Sequence, residues 1–408
     1  MGACNEIRAP MRHFRKEIVM KKIKLLNKIA KIGTQKFDKT KYEVSAQVES
    51  PDAMMVRSGI MHDMIFEKNL LAISRAGAGV NNIPVERCAK EGIVVFNTPG
   101  ANANGVKELA VAALMLASRD IVGGIRWALT LKGEDNVAKA VEGGKSKFSG
   151  CEILGKTLGV IGLGAIGGLV ANTARSLGMN VIGCDPYLTV NAAWGLSSAV
   201  KHADGYDEIY KDADYITLHV PATKDTKGMI NAETIAKMKK GVRIINLARA
   251  DLVNIKDLKA ALASGKVAAY VTDFPTEETL DVPGIINIPH LGASTEESED
   301  NCAVMAAQEL IDYIEYGNIK NSVNYPSVAL PPSNANRICL MHSNIAGMLS
   351  KITDAFSALG INIDNLTNGS KGEYAYTIVE AEADVPPELI GVLETIDGMI
   401  RVRKVEPV

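Results

Sequence analysis

Three segments in the second half of the chain each end an apolar run on a residue capable of chemistry. INLARADLV carries Arg249, TDFPTEE carries Asp273, Glu277 and Glu278, and NIPHLGAST carries His290. An arginine, a carboxylate and a histidine suit hydride removal from the carbon of an α-hydroxy acid. The hydroxyl must lose a proton as the hydride leaves, and histidine, which titrates near neutrality, is a natural acceptor. A carboxylate beside it would orient the ring and stabilise the imidazolium, while arginine offers a permanently charged fork for the substrate carboxylate. Singly, a histidine near a strand end is more often a structural hydrogen bonder, and a loop glutamate is usually just solvated. The combination carries the reading.

A hydride needs an acceptor, and the chain has a place for one. Val160-Ile161-Gly162-Leu163-Gly164-Ala165-Ile166-Gly167 sets G-x-G-x-x-G after an apolar strand and at the start of the helical LVANTARSLG. Gly162 can make the tight turn, Gly164 lets the backbone approach a pyrophosphate, and Gly167 permits close helix–sheet contact. The helix N-terminus offers free N–H donors to the phosphates. Asp185 ends the next strand, where a carboxylate can accept both ribose hydroxyls and repel a 2′-phosphate. No arginine follows it in CDPYLT, so NAD is expected over NADP. A nucleotide-sensing module would need the same site, so this motif alone does not establish catalysis.

These residues need elements to hold them. Between Gly155 and His290 strands and helices alternate, which predicts a parallel sheet covered on both faces. From Val44 to Asn97 short apolar runs alternate with Gly-containing breaks, a second α/β unit. The helical stretch after Asn104 is expected to bridge the two, with a hinge near Ser118 to Ile121. The helical ESEDNCAVMAAQELIDYIEYG is expected to return to the first unit. NYPSVALPPSNAN reads as a linker, and the β-α-β-β-α-β order beyond it fits a small ferredoxin-like domain. The expected organisation is a flexible extension over 1–20 and a first domain over 21–118 completed by 291–322. A dinucleotide-binding domain follows over 119–290, then a linker over 323–335 and a regulatory domain over 336–408. The fold class is α/β: two Rossmann-like doubly wound parallel-sheet domains plus a C-terminal ferredoxin-like α+β domain.

Composition narrows the alternatives. The chain has 408 residues, 47% hydrophobic and 23% charged, with a formal net charge of −2, so no bulk field points to nucleic acid or an anionic membrane. No apolar run is long enough for a membrane span. The six cysteines, Cys4, Cys88, Cys151, Cys184, Cys302 and Cys339, form no C-x-x-C pair, which argues against a disulfide framework or a zinc site. No metal is expected, and the default compartment is reducing and cytoplasmic. The first twenty residues lack an apolar h-region, and Met20 is a candidate functional start. His219 in LHVP is expected to shape the cofactor pocket; His13, His62 and His202 lie in polar surroundings.

The segments RAGAGVNNIP, NTPGANANGVKEL, GKTLGVIGLGAIG, LHVPAT, NLARADLVN and PHLGAST, read together, resemble the D-isomer-specific 2-hydroxyacid dehydrogenases that carry a C-terminal ACT domain. The similarity runs from about Lys21 to the end. It implies Arg249, Glu277 and His290 as the catalytic set. It also implies NAD contacts from Ala165 and Ile166, from His219, Val220 and Pro221, from Leu247, Ala248 and Arg249, and from Asp273, His290, Gly292 and Ala293. Arg57, Ser58, Gly59, Arg75, Gly77, Ala78, Gly79 and Asn102 match loops that hold the substrate. The arginines suit a phosphate, so the implied reaction converts 3-phospho-D-glycerate to 3-phosphooxypyruvate, the first step towards L-serine. A homodimer or homotetramer is implied.

In the last domain His342, Asn344 and Gly347 fall in a strand-to-helix loop, with Asn362 opening the next strand. By their types alone they are caps and turn residues. By resemblance, His342, Asn344 and Asn362 would bind L-serine at a subunit interface. The sequence departs from the family pattern at Ala250-Asp251, in DFPTEET, which is one residue short, at Lys107 and at Ala346. Two other readings stay open: a dehydrogenase for glycerate or 2-hydroxyglutarate, and a non-catalytic NAD-sensing protein of the corepressor kind.

Overall fold

The computed structural model describes residues 20–333, 335–382 and 385–405. The expected N-terminal extension, with Cys4 and His13, and Asn334 of the expected linker lie outside them. The described residues form two compact units, one made from the stretch up to Asn97 with that from Ala303 onward, and the other of residues 98–302.

In the first unit β1 (Lys21–Leu25), β2 (Tyr42–Ser45), β3 (Ala53–Val56), β4 (Ala72–Arg75) and β5 (Val94–Asn97) form a parallel sheet in the order β2-β1-β3-β4-β5. Ala53, Met55, Val56, Ala72 and Ile73 are fully buried, as expected for parallel strands covered on both faces. The order reverses between β1 and β3, so the ligand crevice of this sheet is expected at the loops that follow those two strands.

The second unit holds β6 (Thr157–Ile161), β7 (Asn180–Cys184), β8 (Val200–His202), β9 (Tyr215–Leu218), β10 (Val242–Asn246), β11 (Val267–Thr272) and β12 (Ile285–Asn287). All run parallel in the order β12-β11-β10-β9-β6-β7-β8. The switch lies between β6 and β9. The helix Ala103–Ser118, expected to bridge the two units, is grouped with this one. Its Ala110, Ala113, Leu114 and Ala117 are buried in one cluster with Val160, Val170, Ala171 and Val271. Small residues let it lie close on the sheet and on the helix Ala165–Ser176, and that burial moves the division from the expected Ser118 to between Asn97 and Thr98. The return falls between Cys302 and Ala303, inside the helix Glu296–Tyr316, rather than at residue 291.

The third sheet belongs to the first unit. β13 (Asn336–Ser343), β14 (Ile363–Lys371), β15 (Tyr374–Ala381) and β16 (Met399–Val405) pair antiparallel in the order β14-β15-β13-β16, the ferredoxin-like arrangement read from the sequence. One face carries the helices Met348–Ala358 and Pro387–Glu394 over Ile338, Leu340 and Val379. The other face is docked on the rest of its unit. Arg401 donates to the carbonyls of Leu70, Lys68 and Glu91, Tyr376 Oη to Gly317 O at 2.6 Å, and Arg403 to Ile314 O and Tyr313 O.

The segment expected as a linker is also held. Asn324 caps the edge of β5 through Val95 N and Ile93 O, Tyr325 is fully buried, and Val328 bridges Ile319. Its polar residues pair with main-chain groups at a sheet edge, which composition does not reveal.

Candidate active site

In the second unit the glycine motif forms the turn from β6 into the helix Ala165–Ser176. Gly162 has φ 90°, and a Cβ there would lie 2.6 Å from His219 O, so only glycine fits beside the loop that follows β9. A Cβ on Gly167 would lie 1.9 Å from Gly162 O, whereas one on Gly164 would meet nothing within 4 Å. The space over the helix N-terminus is therefore open at the residue whose backbone must approach a pyrophosphate. Asp185 Oδ2 accepts Leu163 N at 2.9 Å and Oδ1 accepts Tyr187 N at 2.9 Å, which fixes the carboxylate and leaves each oxygen a lone pair for a ribose hydroxyl. Gly100, in the loop leading to Asn102, has φ 81°, and a Cβ there would sit 3.2 Å from Ala165 Cβ. The residues fit a dinucleotide.

His219 donates its main-chain N–H to Ile161 O at 2.8 Å, and its Nε2 lies 2.9 Å from Thr217 Oγ1. Burial pushes its pKa down to about 4, so it is neutral at pH 7 and shapes the pocket without charge. Val220 packs on the core and Pro221 O accepts Thr226 Oγ1 at 2.6 Å, closing the loop after β9.

Arg249 follows β10 on an extended residue, exposed, with Nη1 donating to Ala248 O at 2.7 Å; Leu247 before it is buried in the core. The loop is pinned by Asn246, fully buried, whose Nδ2 donates to Arg249 O at 2.8 Å and to Tyr270 Oη at 3.1 Å. Its Oδ1 accepts Ala248 N at 3.2 Å and Arg249 N at 3.4 Å. The sequence reading missed Asn246, although a lone amide at the end of an otherwise apolar strand was its signal.

Asp273 ends the β11 loop and is 1% exposed. Burial raises its carboxyl pKa; His290, the main-chain N–H groups of Asp273 and Gly292, and Arg249 oppose that rise. Its Oδ1 has no hydrogen-bond partner among the described residues. His290 is exposed, and its ring lies 4.7 Å from that of Phe274. Glu277 and Glu278 are exposed beside Asp251 and Asn254. The loop from His290 to Ala293 rests on the first turn of the helix Ala103–Ser118: Cβ atoms on Gly292 and Gly105 would meet Val106 Cγ2 at 3.2 Å and Gly292 O at 2.8 Å.

Of the expected substrate residues, Arg57, Ser58 and Gly59 follow β3 at the switch point of the first unit's sheet, Arg75 and Gly77 to Gly79 end and follow β4, and Asn102 lies in the second unit, just before the helix Ala103–Ser118. Asn27 Oδ1, just past β1, accepts the main-chain N–H groups of Arg57 at 3.2 Å, Ser58 at 3.2 Å and Gly59 at 2.8 Å. Three convergent donors wrap this loop around one amide oxygen. Arg75 Nε donates to Arg57 O at 3.1 Å, Asn82 Nδ2 to Gly59 O at 2.8 Å, and Asn97 Nδ2 to Ala78 O between Gly77 and Gly79. Asn27 is a second residue the sequence reading missed.

The three residues expected to hold an effector lie in and just after β13 and just before β14. His342 is in β13, 2% exposed, with Nδ1 at 3.0 Å from Ser343 O and Nε2 at 2.9 Å from Thr377 Oγ1. Asn344 is exposed and bonds Gly372 O, and Asn362 bonds Asp364.

The family profile described as D-isomer specific 2-hydroxyacid dehydrogenase, NAD binding domain, matches residues 114–292. The chain is 38% identical over 298 residues to the D-3-phosphoglycerate dehydrogenase of Methanocaldococcus jannaschii, covering 71% of this chain and 55% of that one. It is 31% identical over 338 residues to D-3-phosphoglycerate dehydrogenase 1 of Saccharomyces cerevisiae, covering 77% and 68%. The chain spans about half the length of the first of these and of the Bacillus subtilis relative. The crystal structure of NAD+-bound 3-phosphoglycerate dehydrogenase from Entamoeba histolytica is similar with TM-score 0.57 and 27% identity, covering 75% of this chain and 99% of that one. Rhodotorula graminis D-mandelate dehydrogenase, at TM-score 0.64 and 21% identity, covering 77% and 100%, shares the fold. With the glycine turn, the fixed Asp185 and the polar strand ends in place, the chain belongs to the D-isomer specific 2-hydroxyacid dehydrogenases.

Proposed function

We propose that this chain oxidises 3-phospho-D-glycerate to 3-phosphooxypyruvate, the first step of L-serine biosynthesis, as its relatives' name implies. The observation that carries the phosphorylated substrate is the Arg57–Gly59 loop, built around Asn27 at the switch point of the first sheet and braced by Arg75. Asn27 consumes the three main-chain N–H groups and so fixes the loop that carries Arg57, and two adjoining guanidinium groups, Arg57 and Arg75, suit a phosphate.

The Gly162–Gly167 turn and Asp185 would hold NAD, which would supply the acceptor for the hydride of C2. His290 takes the hydroxyl proton, and Asp273 stabilises the imidazolium from its buried position. Glu277 serves as the ring's orienting partner in the substrate complex, since hydrogen bonds loose in an unliganded site tighten there. Arg249 holds the substrate carboxylate and polarises the developing carbonyl. Arg57 and Arg75 take the phosphate, with Ser58, Gly59, Gly77 to Gly79 and Asn102 completing the substrate contacts.

The unit works as a homodimer or homotetramer. The helix Ile121–Thr130 buries none of its residues within the chain and exposes Ile121, Ile125 and Leu129, an apolar face suited to a second copy. No helix of the described residues is long and apolar enough to cross a membrane, and we place the enzyme in the cytoplasm. The C-terminal sheet is an ACT-like regulatory module for L-serine, with Asn344 and Asn362 exposed for it and His342 framing the strand end.

The deciding experiment is NADH oxidation with 3-phosphooxypyruvate beside pyruvate, glyoxylate, hydroxypyruvate and 2-oxoglutarate. Preference for the phosphorylated acid is expected. Preference for another keeps the family and overturns the substrate, and no turnover leaves an NAD-sensing protein. A serine titration that moves neither activity nor thermal stability removes the effector role.

A further inference from the structure

Behind the loops that follow β3 and β4 lies a carboxyl group that the chemistry above does not use. Glu309, on the part of the helix Glu296–Tyr316 that belongs to the first unit, is 6% exposed. Its Oε1 accepts Asn321 Nδ2 at 2.9 Å and its Oε2 accepts the Ser74 hydroxyl at 3.3 Å. Ser74 is fully buried and immediately precedes Arg75 on β4. Asn321 has φ 53°, a left-handed backbone that asparagine tolerates better than most residues and that still costs free energy.

From Asn321 the connections run outward. Asn97 N donates to Asn321 O at 3.4 Å, and Asn97 Nδ2 donates to Ala78 O at 2.5 Å, in the middle of the Gly77–Gly79 loop. One buried carboxyl thus ties together the end of β4, a strained turn and that loop. Burial pushes the carboxyl up to about 8, so it is held neutral at pH 7 and avoids the far larger cost of a buried charge. If packing alone were required at this place, an apolar side chain would fill it at less cost.

We propose that Glu309 is a positioning residue for substrate binding, acting through Ser74 on the Arg75 end of β4 and through Asn321 and Asn97 on the Gly77–Gly79 loop. The inference rests on the substrate role proposed for that loop, and amide exchange tests the positioning separately.

The full chain carrying Glu309→Ala, Glu309→Gln or Asn97→Ala is compared with the parent by steady-state kinetics and by hydrogen exchange over residues 76–80. For Glu309→Ala the KM for 3-phosphooxypyruvate rises about tenfold, while kcat and the KM for NADH stay within about twofold, because a ground-state contact is lost and a chemical one is not. Exchange at 76–80 accelerates. Glu309→Gln, which can accept from Asn321 and donate to Ser74, restores KM to within about threefold of the parent. Asn97→Ala breaks only the outer link and shifts KM and exchange in the same direction, which keeps the test informative if Glu309→Ala does not fold. The proposal fails if Asn97→Ala leaves both KM and exchange at parental values, or if kcat and the KM for NADH change as much as the KM for the oxo acid. A parent without turnover of 3-phosphooxypyruvate overturns the functional reading, and the exchange comparison still decides the positioning.

Discussion

The side-chain amide of Asn246 grips Arg249 from both ends of its peptide unit, donating to its carbonyl at 2.8 Å and accepting its N–H at 3.4 Å. The guanidinium itself is exposed and leans on Ala248 O, so the placement of this charge depends on the buried amide below it. Replacing Asn246 by Ala removes the donor to Arg249 O and to Tyr270 Oη and leaves buried groups unpaired, which costs about 1–3 kcal/mol of stability. Small misplacement of a clamping residue costs on the order of 100-fold in rate. The expected outcome is a fall in kcat/KM of roughly 10–100-fold with little change in NADH affinity, read by kinetics and fluorescence titration. A variant that folds with unaltered kcat/KM would show that the arginine is placed by other means.

Asp185 is proposed to govern the choice of cofactor. Both of its oxygens are fixed by main-chain N–H groups of Leu163 and Tyr187, so the carboxylate cannot swing away from a 2′-phosphate. Asp185→Ser should weaken NADH binding by about 1–2 kcal/mol, roughly tenfold, while NADPH binding improves because a repulsion is lost. Isothermal titration with both cofactors reads this directly, and equal losses for the two would refute a discriminating role.

Much of this was legible in the chain before its fold was known. The apolar runs at Leu158–Ile161 and Ile244–Ile245 and the spacing of Gly162, Gly164 and Gly167 report parallel strands and a phosphate turn, because backbone geometry and burial demand those residue types locally. The division of the chain was less legible. Leu109, Ala112, Ala113 and Leu116 stand at helical spacing but do not say which sheet the helix lies on, so Ala103–Ser118 read as a bridge; the face it buries is Ala110, Ala113, Leu114 and Ala117. Asn27, Asn246 and Asn324 act by reaching main-chain groups far along the chain or across a loop, and amide side chains carry no periodic signal. Asp273 stood out as a strand-end acid; that it is buried depends on how the β11 loop folds back on Gly292.

The Arg57 loop makes a separate prediction about substrate class. Asn27→Ala removes the acceptor of three N–H groups and should loosen the loop without touching the catalytic set of the other unit. Arg57→Ala removes the charge itself. Both should raise the KM for 3-phosphooxypyruvate, by roughly 10-fold for Asn27 and roughly 100-fold for Arg57, on the scale of a charge-assisted bond. Turnover of unphosphorylated hydroxypyruvate should hardly change. A parallel loss for both acids would mean that the loop serves general folding and not phosphate recognition.

Glu309 also sets a pH dependence of stability, and its sign is fixed by the direction of the shift. Burial raises this carboxyl from 4.5 to about 8; the neutral hydrogen-bonding groups Asn321 and Ser74 act against the rise, and Asp312 on the same helix adds to it. In the unfolded chain the group ionises near its ordinary value, so between pH 4.5 and 8 the unfolded state has released a proton that the folded state retains. The contribution to stability is therefore complete below pH 4.5 and is lost progressively as pH rises towards 8, by an upper bound of roughly 5 kcal/mol. Glu309→Gln keeps the shape and abolishes the titration. Denaturant unfolding of the parent and of this variant should differ little at pH 5 and diverge at pH 8, with the variant the more stable. Parallel stability curves across that range would show that the carboxyl is ionised in the folded protein.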